Sequence, residues 1–470
     1  MTPSRPTREL AAAIASARFA DLDTSTIEHT GRAVLDWLGS ALAGSIEPPA
    51  RMAHALARSF GDSSESTLFA GGRASAPVAA FANGVAAHIL ELDDIHKTST
   101  VHAGAPIISA ALAVAEREQA SGEQFLTAVA VGYETAFRIG EAVNPSHYRY
   151  WHPTGTVATF GAAAAAGSLL ALGADQMVDA LGSAGTQAAG LWEFNADGTM
   201  SKHLHPGKAA MNGIIAADLA RAGFTGARRI LEGERGFVRA MSGAADLSCL
   251  TAGLPAIRKI QENCYKLHAC CGHTHSAIDL AIALRARAGL SESDAVERVE
   301  AIDVETYGPG FEIVKESRPR TPYQAKFSMS YCVAVALVEG RVGLEQFVAD
   351  RFGSGGVTVP ALQALLERTR VRVAEDLTAK YPAAWPARVT ITLADGSVGA
   401  VASAQAARLC EASDYPRGNP ENPIHRHELE EKFMALVAPR FGADAANRAV
   451  AVVERLRRSP DMARDFVVGR

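Results

Sequence analysis

Four short polar clusters stand in otherwise Ala-rich sequence. Glu91-Leu92-Asp93-Asp94-Ile95-His96 is followed at once by His102-Ala103-Gly104. The second is Trp151-His152-Pro153-Thr154-Gly155-Thr156. The third is Ser201-Lys202-His203-Leu204-His205-Pro206-Gly207-Lys208, and the fourth is Tyr265-Lys266-Leu267-His268-Ala269-Cys270-Cys271. Acids, imidazoles and ammonium groups are costly to bury unless they are paired. Four such clusters, each beside an apolar helix-like run, predict elements that converge on one polar cavity. Ten of the 14 His residues lie between His88 and His275. Imidazole titrates near neutral pH, so this concentration suits acid–base chemistry.

Within the clusters, Asp93 and Asp94 are adjacent. On a helix they would point about 100° apart, so one is expected to serve the site and the other to cap a helix. His102 precedes Ala103-Gly104, where backbone can come close to a ligand. His152 precedes Pro153 and is expected to be extended at the end of a loop. Thr154-Gly155-Thr156 then opens an Ala-rich helix, whose free N–H groups would attract a carboxylate; a simple cap is the alternative for Thr154 and Thr156. Lys208 is expected to begin a helix just after Gly207, with a solvated role. Cys264, His268, Cys270, Cys271, His273 and His275 lack structural zinc spacing, so a packed strand and no metal are expected there. No Gly-rich dinucleotide fingerprint follows a strand signal. No Gly-x-Ser-x-Gly elbow appears either, and Gly182-Ser183-Ala184-Gly185 is only a helix-end signal.

The elements that must hold these groups are mostly helical. Apolar residues recur at helical spacing over Ile27–Ala43, behind cap candidates Asp23-Thr24-Ser25-Thr26. Ala105–Glu116, Gly122–Val143, Thr156–Leu172 and Lys208–Ala222 repeat the pattern. Their small residues predict close helix packing. After Asp279 the character changes. Val299–Tyr307 and Ala387–Leu393 alternate as strands, and Asp395-Gly396 reads as a hairpin turn before Val398–Val401. Helical runs are expected near Met329–Leu337 and Leu344–Val348, and again over Glu428–Arg458. The fold class expected is therefore mainly α, with an all-helical domain over residues 1–269 and 405–470. A smaller α+β lid domain over 270–404 precedes the C-terminal helices.

At 470 residues the chain exceeds one simple core. Its 48% apolar and 21% charged content is that of an ordinary globular protein. A net charge of −5 gives no footprint for nucleic acid. The most apolar segments are too short or too weakly hydrophobic for a bilayer. The start leads into an amphipathic stretch and not a signal core. Six Cys are few for this length, and a reduced, cytoplasmic protein is expected.

The four clusters together resemble the MmgE/PrpD family, which includes 2-methylcitrate dehydratases, cis-aconitate decarboxylases and an iminodisuccinate epimerase. The likeness continues at Gly223-Phe224-Thr225-Gly226, Leu231-Glu232-Gly233-Glu234-Arg235-Gly236-Phe237, Lys326-Phe327-Ser328-Met329-Ser330-Tyr331 and Pro416-Arg417-Gly418-Asn419-Pro420. The resemblance implies a small polycarboxylate substrate, catalysis without metal or cofactor, and a homodimer. It also implies that the C-terminal tail returns to the helical domain. His102, His152, Lys202 and Tyr331 are the catalytic candidates it supports, Tyr331 coming from the smaller domain. Glu91, Asp93, Asp94, Thr154, Lys266 and Arg417 are the substrate-binding candidates.

The shared chemical problem is loss of a proton, or of CO2, next to a carboxylate. Cations stabilise the charge that builds up, and a base needs a pKa near the working pH. This chain departs from the family at Glu91, where Asp is common, at Ile95, where Thr is usual, and at Ala103, where Pro is usual. Ile95 removes a hydroxyl that the decarboxylase branch uses. A dehydratase-like lyase, an epimerase and a decarboxylase are thus the reactions in play. A non-catalytic carboxylate binder would keep the cations and lose the bases; a metal-dependent hydrolase would use the Cys/His stretch.

Overall fold

The computed structural model describes residues 5–394 and 407–466. The protein is mainly α, and it divides into two compact units. The first takes in Met1–Ile89, Asp93–Cys264 and His425–Arg470. The second takes in Leu90–Leu92 and Tyr265–Ile424.

In the first unit, the helices that position the polar clusters are α1 (Thr24–Gly44), α2 (Ala76–His88), α3 (Gly104–Arg117), α4 (Gly122–Val143), α5 (Pro153–Leu169) and α6 (Ser201–Arg221). Local chemistry sets their ends. The Asp23 carboxylate accepts from the Thr26 amide at 2.7 Å and caps α1. Ser121 and Gln124 form a reciprocal capping box on α4. Pro153 opens α5, where a missing N–H costs nothing. Helix α5 is apolar on all sides and almost wholly buried, so it needs neighbours all round. It packs against α3, α4 and α6, while α2 packs against α3 and α6. Gly132 and Gly161 let α4 and α5 touch backbone to backbone. A Cβ on Gly161 would lie 2.8 Å from the Gly132 carbonyl oxygen.

Two helix expectations shift at their starts. Helix α5 begins at Pro153 and not at Thr156. Helix α6 begins at Ser201, seven residues before Lys208. Pro206-Gly207 reads as a break in sequence, yet Pro206 lies inside the helix. A proline this near the N-terminus removes few internal hydrogen bonds. The consequence is functional: Lys202, His203 and His205 sit on the opening turns of a long helix.

The second unit carries a four-stranded sheet in the order β2–β1–β3–β4, where β1 is Val299–Thr306, β2 is Thr369–Val373, β3 is Ala387–Leu393 and β4 is Ala407–Ser413. Strands β1 and β2 run parallel, and the other pairs run antiparallel. Helices α7 (His275–Arg287) and α8 (Met329–Glu339) pack against each other, and both touch the sheet. Because β4 joins this sheet, the unit extends to residue 424, where the alternation alone placed its end at 404. The Asp395-Gly396 turn and Val398–Val401 lie outside the described residues. The helical run near Leu344–Val348 is a single 3-10 turn, Leu344–Gln346. The stretch from Cys264 to His275 is not the packed strand expected. Cys264 makes one isolated bridge to Ile95, and a 3-10 turn at Gly272–Thr274 leads into α7. Its polar side chains find local partners in place of a ladder.

Candidate functional site

The first unit gathers His88, Asp93, Asp94, His102, Thr154, His152, Lys202, His203 and His205, all buried. The adjacent acids separate. Asp94 Oδ1 accepts from the Gly104 amide at 2.9 Å, which caps α3. Its Oδ2 accepts from the Tyr133 hydroxyl at 2.6 Å and from Asn263 Nδ2 at 2.9 Å. Asp93 Oδ2 lies 2.6 Å from His88 Nδ1 and 3.5 Å from His102 Nδ1.

His102 is held on both sides. Its amide donates to Thr154 Oγ1 at 3.1 Å, and its Nδ1 lies 2.8 Å from the Asp94 carbonyl oxygen. A carbonyl only accepts, so Nδ1 carries the hydrogen and a neutral His102 has its lone pair on Nε2. Thr154, expected to bind substrate, thus uses its hydroxyl to position His102. His152 is extended at the start of α5, its Nδ1 3.0 Å from His205 Nδ1. Trp192 and Phe194 pack edge-on against its ring. Burial holds His152 well below the ordinary imidazole value, and the charges of His205 and Lys202 add to this. Burial does the same to His205, lowering it to about 3. This pair therefore stays neutral at pH 7. The His88 ring centroid lies 4.8 Å from that of His102, 5.7 Å from His152 and 6.1 Å from His203.

Asp94 is pushed up to about 7, chiefly by burial and then by the charge of Asp36, against the donors Tyr133 and Gly104. A folded value above the usual aspartate range near ~4 means the native state holds the proton longer than the unfolded chain does. That contribution to stability is complete below pH ~4 and is lost as pH rises through about 7. Asp94→Asn is expected to gain on the wild type in melting temperature between pH 5 and pH 8. A difference that does not change with pH would contradict this protonation state.

In the second unit, Lys266 is buried, and its Nζ donates to the Glu91 carbonyl oxygen at 2.8 Å and to the Cys270 carbonyl oxygen at 3.3 Å. The Glu91 carboxylate lies at 3.5 Å. Glu91 takes a positive φ of 59°, an uncommon backbone state for a residue with a Cβ. Lys326 Nζ donates to the neighbouring Leu90 carbonyl oxygen at 2.8 Å. The structure brings Lys266 and Glu91 together, while Tyr331 and Arg417, also expected at the site, contact other groups. The Tyr331 hydroxyl donates to the Gln346 carbonyl oxygen at 2.5 Å, with its ring against Phe347 and Phe352; burial raises its pKa. Arg417 is exposed, and its amide donates to Asp279, which also pairs with His268 at 2.9 Å.

Two sets of donor atoms are close enough to hold an ion: His88 with Asp93 and His102, and His96 with Glu141 and Glu262. In the first, both Nδ1 atoms face oxygen acceptors and serve as hydrogen donors. In the second, the Lys259 ammonium already bridges both carboxylates, at 2.8 and 3.1 Å. Both arrangements thus already use donor atoms in hydrogen bonds or ion pairs. In the Cys/His stretch, Cys270 Sγ lies 3.1 Å from Thr274 Oγ1 and His273 Nδ1 lies 2.5 Å from the Tyr307 hydroxyl.

Sequence reasoning missed His88, Tyr133 and Asn263 as members of the site, and it committed to neither His203 nor His205. His88 closes α2 five residues before Asp93, and that spacing is a signal that could have found it. Tyr133 and Asn263 lie in unremarkable helix and loop sequence and carried none.

This histidine-rich cluster lies in a helical unit that an α+β unit interrupts along the chain. Residues 8–250 match a family model described as the MmgE/PrpD N-terminal domain, and residues 268–458 match the MmgE/PrpD C-terminal domain. The chain belongs to the MmgE/PrpD family. It is similar to a human cis-aconitate decarboxylase, 27% identical over 468 residues that cover 96% of this chain and 91% of the relative. A mouse cis-aconitate decarboxylase is 26% identical over 96% of this chain and 90% of its own. One from Aspergillus terreus is 29% identical over 349 residues, 70% of each chain. Among the described residues, no helix is long and apolar enough to cross a membrane.

Proposed function

We propose that this protein is a lyase acting on a small di- or tricarboxylate, with proton transfer at a carbon next to a carboxylate and no cofactor. The observation that carries this reading is the set of four imidazoles His88, His102, His152 and His205: His88 bonds to the Asp93 carboxylate, His102 to the Asp94 backbone carbonyl, and the other two are forced neutral beside Lys202. Such a pocket can hold a proton, take one up and pass it on. Lys202, nearly inaccessible to water, supplies positive charge for a substrate carboxylate or for the enediolate that forms beside it. The names of the relatives favour loss of CO2, with the pocket delivering a proton to the resulting carbanion.

Epimerisation is the second reading. It needs an acid and a base on opposite faces of one carbon, and the Asp-bound pair and the His152–His205 pair provide two such groups. Ile95, in place of a hydroxyl that the decarboxylase branch uses, also weighs toward it. NMR of candidate acids with purified protein in deuterated water tests both. Decarboxylation gives a deuterated product and CO2; dehydration gives loss of water; epimerisation gives deuterium in unfragmented acid. No change in cis-aconitate, 2-methylcitrate and amino dicarboxylates would overturn the proposal. Turnover is expected to survive extended dialysis against a strong chelator. Activity that disappears and returns with a divalent ion would count against cofactor-free chemistry.

A further inference from the structure

His88 is the least exposed imidazole of the site, at 0%. It closes α2, a helix whose other residues are mostly small and apolar. Its Nδ1 sits 2.6 Å from Asp93 Oδ2. A carboxylate only accepts, so Nδ1 carries the hydrogen and the lone pair lies on Nε2. That Nε2 is buried and has no hydrogen-bond partner among the described residues. A buried polar atom with no partner is costly, and its retention calls for a reason. The groups around it are Asp93, His102, His152 and His203, the middle of the proton-transfer pocket.

We propose that His88 is a proton-transfer residue of this enzyme, oriented by Asp93, with Nε2 as the atom that takes up and returns the proton. This rests on the lyase reading above. In a decarboxylation the carbon–carboxylate bond breaks, its electron pair stays on carbon as a carbanion, and CO2 leaves. The Nε2–H of His88 imidazolium gives its proton to that carbanion, and a proton from solvent restores the imidazolium. Asp93 keeps the Nδ1–H tautomer and offsets the positive charge, so the ring gains and loses a proton without turning.

Four measurements test this. His88→Gln places an amide near Nε2 but cannot accept and return a proton, so kcat is expected to fall at least ~10²-fold with KM changed less than about threefold. In Asp93→Asn the amide oxygen still accepts from Nδ1–H but carries no charge. Its kcat is expected to fall at least ~10-fold. His88→Gly is expected to regain activity with added imidazole, in proportion to its imidazolium concentration. As a readout independent of turnover, ¹⁵N-histidine NMR of the wild type is expected to show the neutral form of His88 as the Nδ1–H tautomer. An Nε2–H tautomer, or wild-type kcat in folded His88→Gln, would overturn the proposal while leaving the lyase reading in place. A wild-type protein inert toward every carboxylate would overturn both.

Discussion

Alanine at His102 or His152, or Met at Lys202, is expected to lower turnover by at least ~10²-fold with the far-UV circular dichroism unchanged. The three act by different means. His102 has its Nδ1–H fixed by the Asp94 carbonyl, which leaves Nε2 as its basic atom. His152 is kept neutral by burial and by its cationic neighbours, so it accepts a proton only transiently. Lys202 is buried at the first turn of α6 and is the cation of the proposed site. Loss of a proton-transfer group should therefore reduce kcat, whereas loss of the cation should raise KM as well. Steady-state kinetics on whichever acid proves to be the substrate checks this. Near-normal turnover in any two of the three variants would remove the proposed site.

The largest expected loss of stability lies outside the site. Lys432, on the C-terminal helix α9 (Arg426–Phe441), places Nζ 2.6 Å from Asp36 Oδ1 on α1, with side-chain exposures of 8% and 0%. Burying a charge is costly, and removing one partner of a buried pair leaves the other uncompensated. Lys432→Met is expected to cost about 3–5 kcal/mol, read as a lower urea midpoint. Adding Asp36→Leu should recover most of that loss, because apolar residues of similar size often replace a buried pair without penalty. A loss below about 1 kcal/mol in the single variant would mean that Asp36 keeps enough other partners to remain satisfied.

Periodicity placed most of the longer helices to within a few residues, because a buried helix face recurs every three to four positions whatever lies against it. Helix α4 over Gly122–Val143 and strand β3 over Ala387–Leu393 match their sequence ranges in full. The misses have physical reasons. At Pro206-Gly207, local propensity says stop, yet packing against α2 and α5 carries the helix through. Strand β2, Thr369–Val373, is an edge strand with no residue in the buried class. It therefore lacks the alternation that betrays a strand buried on one face. The Cys264–His275 stretch satisfies its polar groups through side chains such as Asp279, Thr274 and Tyr307, and such partners leave no period.

By itself the sequence determined the chemistry available here: the mainly helical class, the imidazole-rich clusters, the buried acids and lysines, and the family. Those follow from residue type and spacing along one dimension. Only the tertiary structure decided which nitrogen of His88 and of His102 bears a hydrogen, that Asp94 caps α3 while Asp93 faces His88, that Thr154 holds His102, and that Tyr331 points to a backbone carbonyl. Each depends on which atoms lie within about 3 Å of one another, and partners such as Asp94 and Asn263, 169 positions apart, meet only through packing.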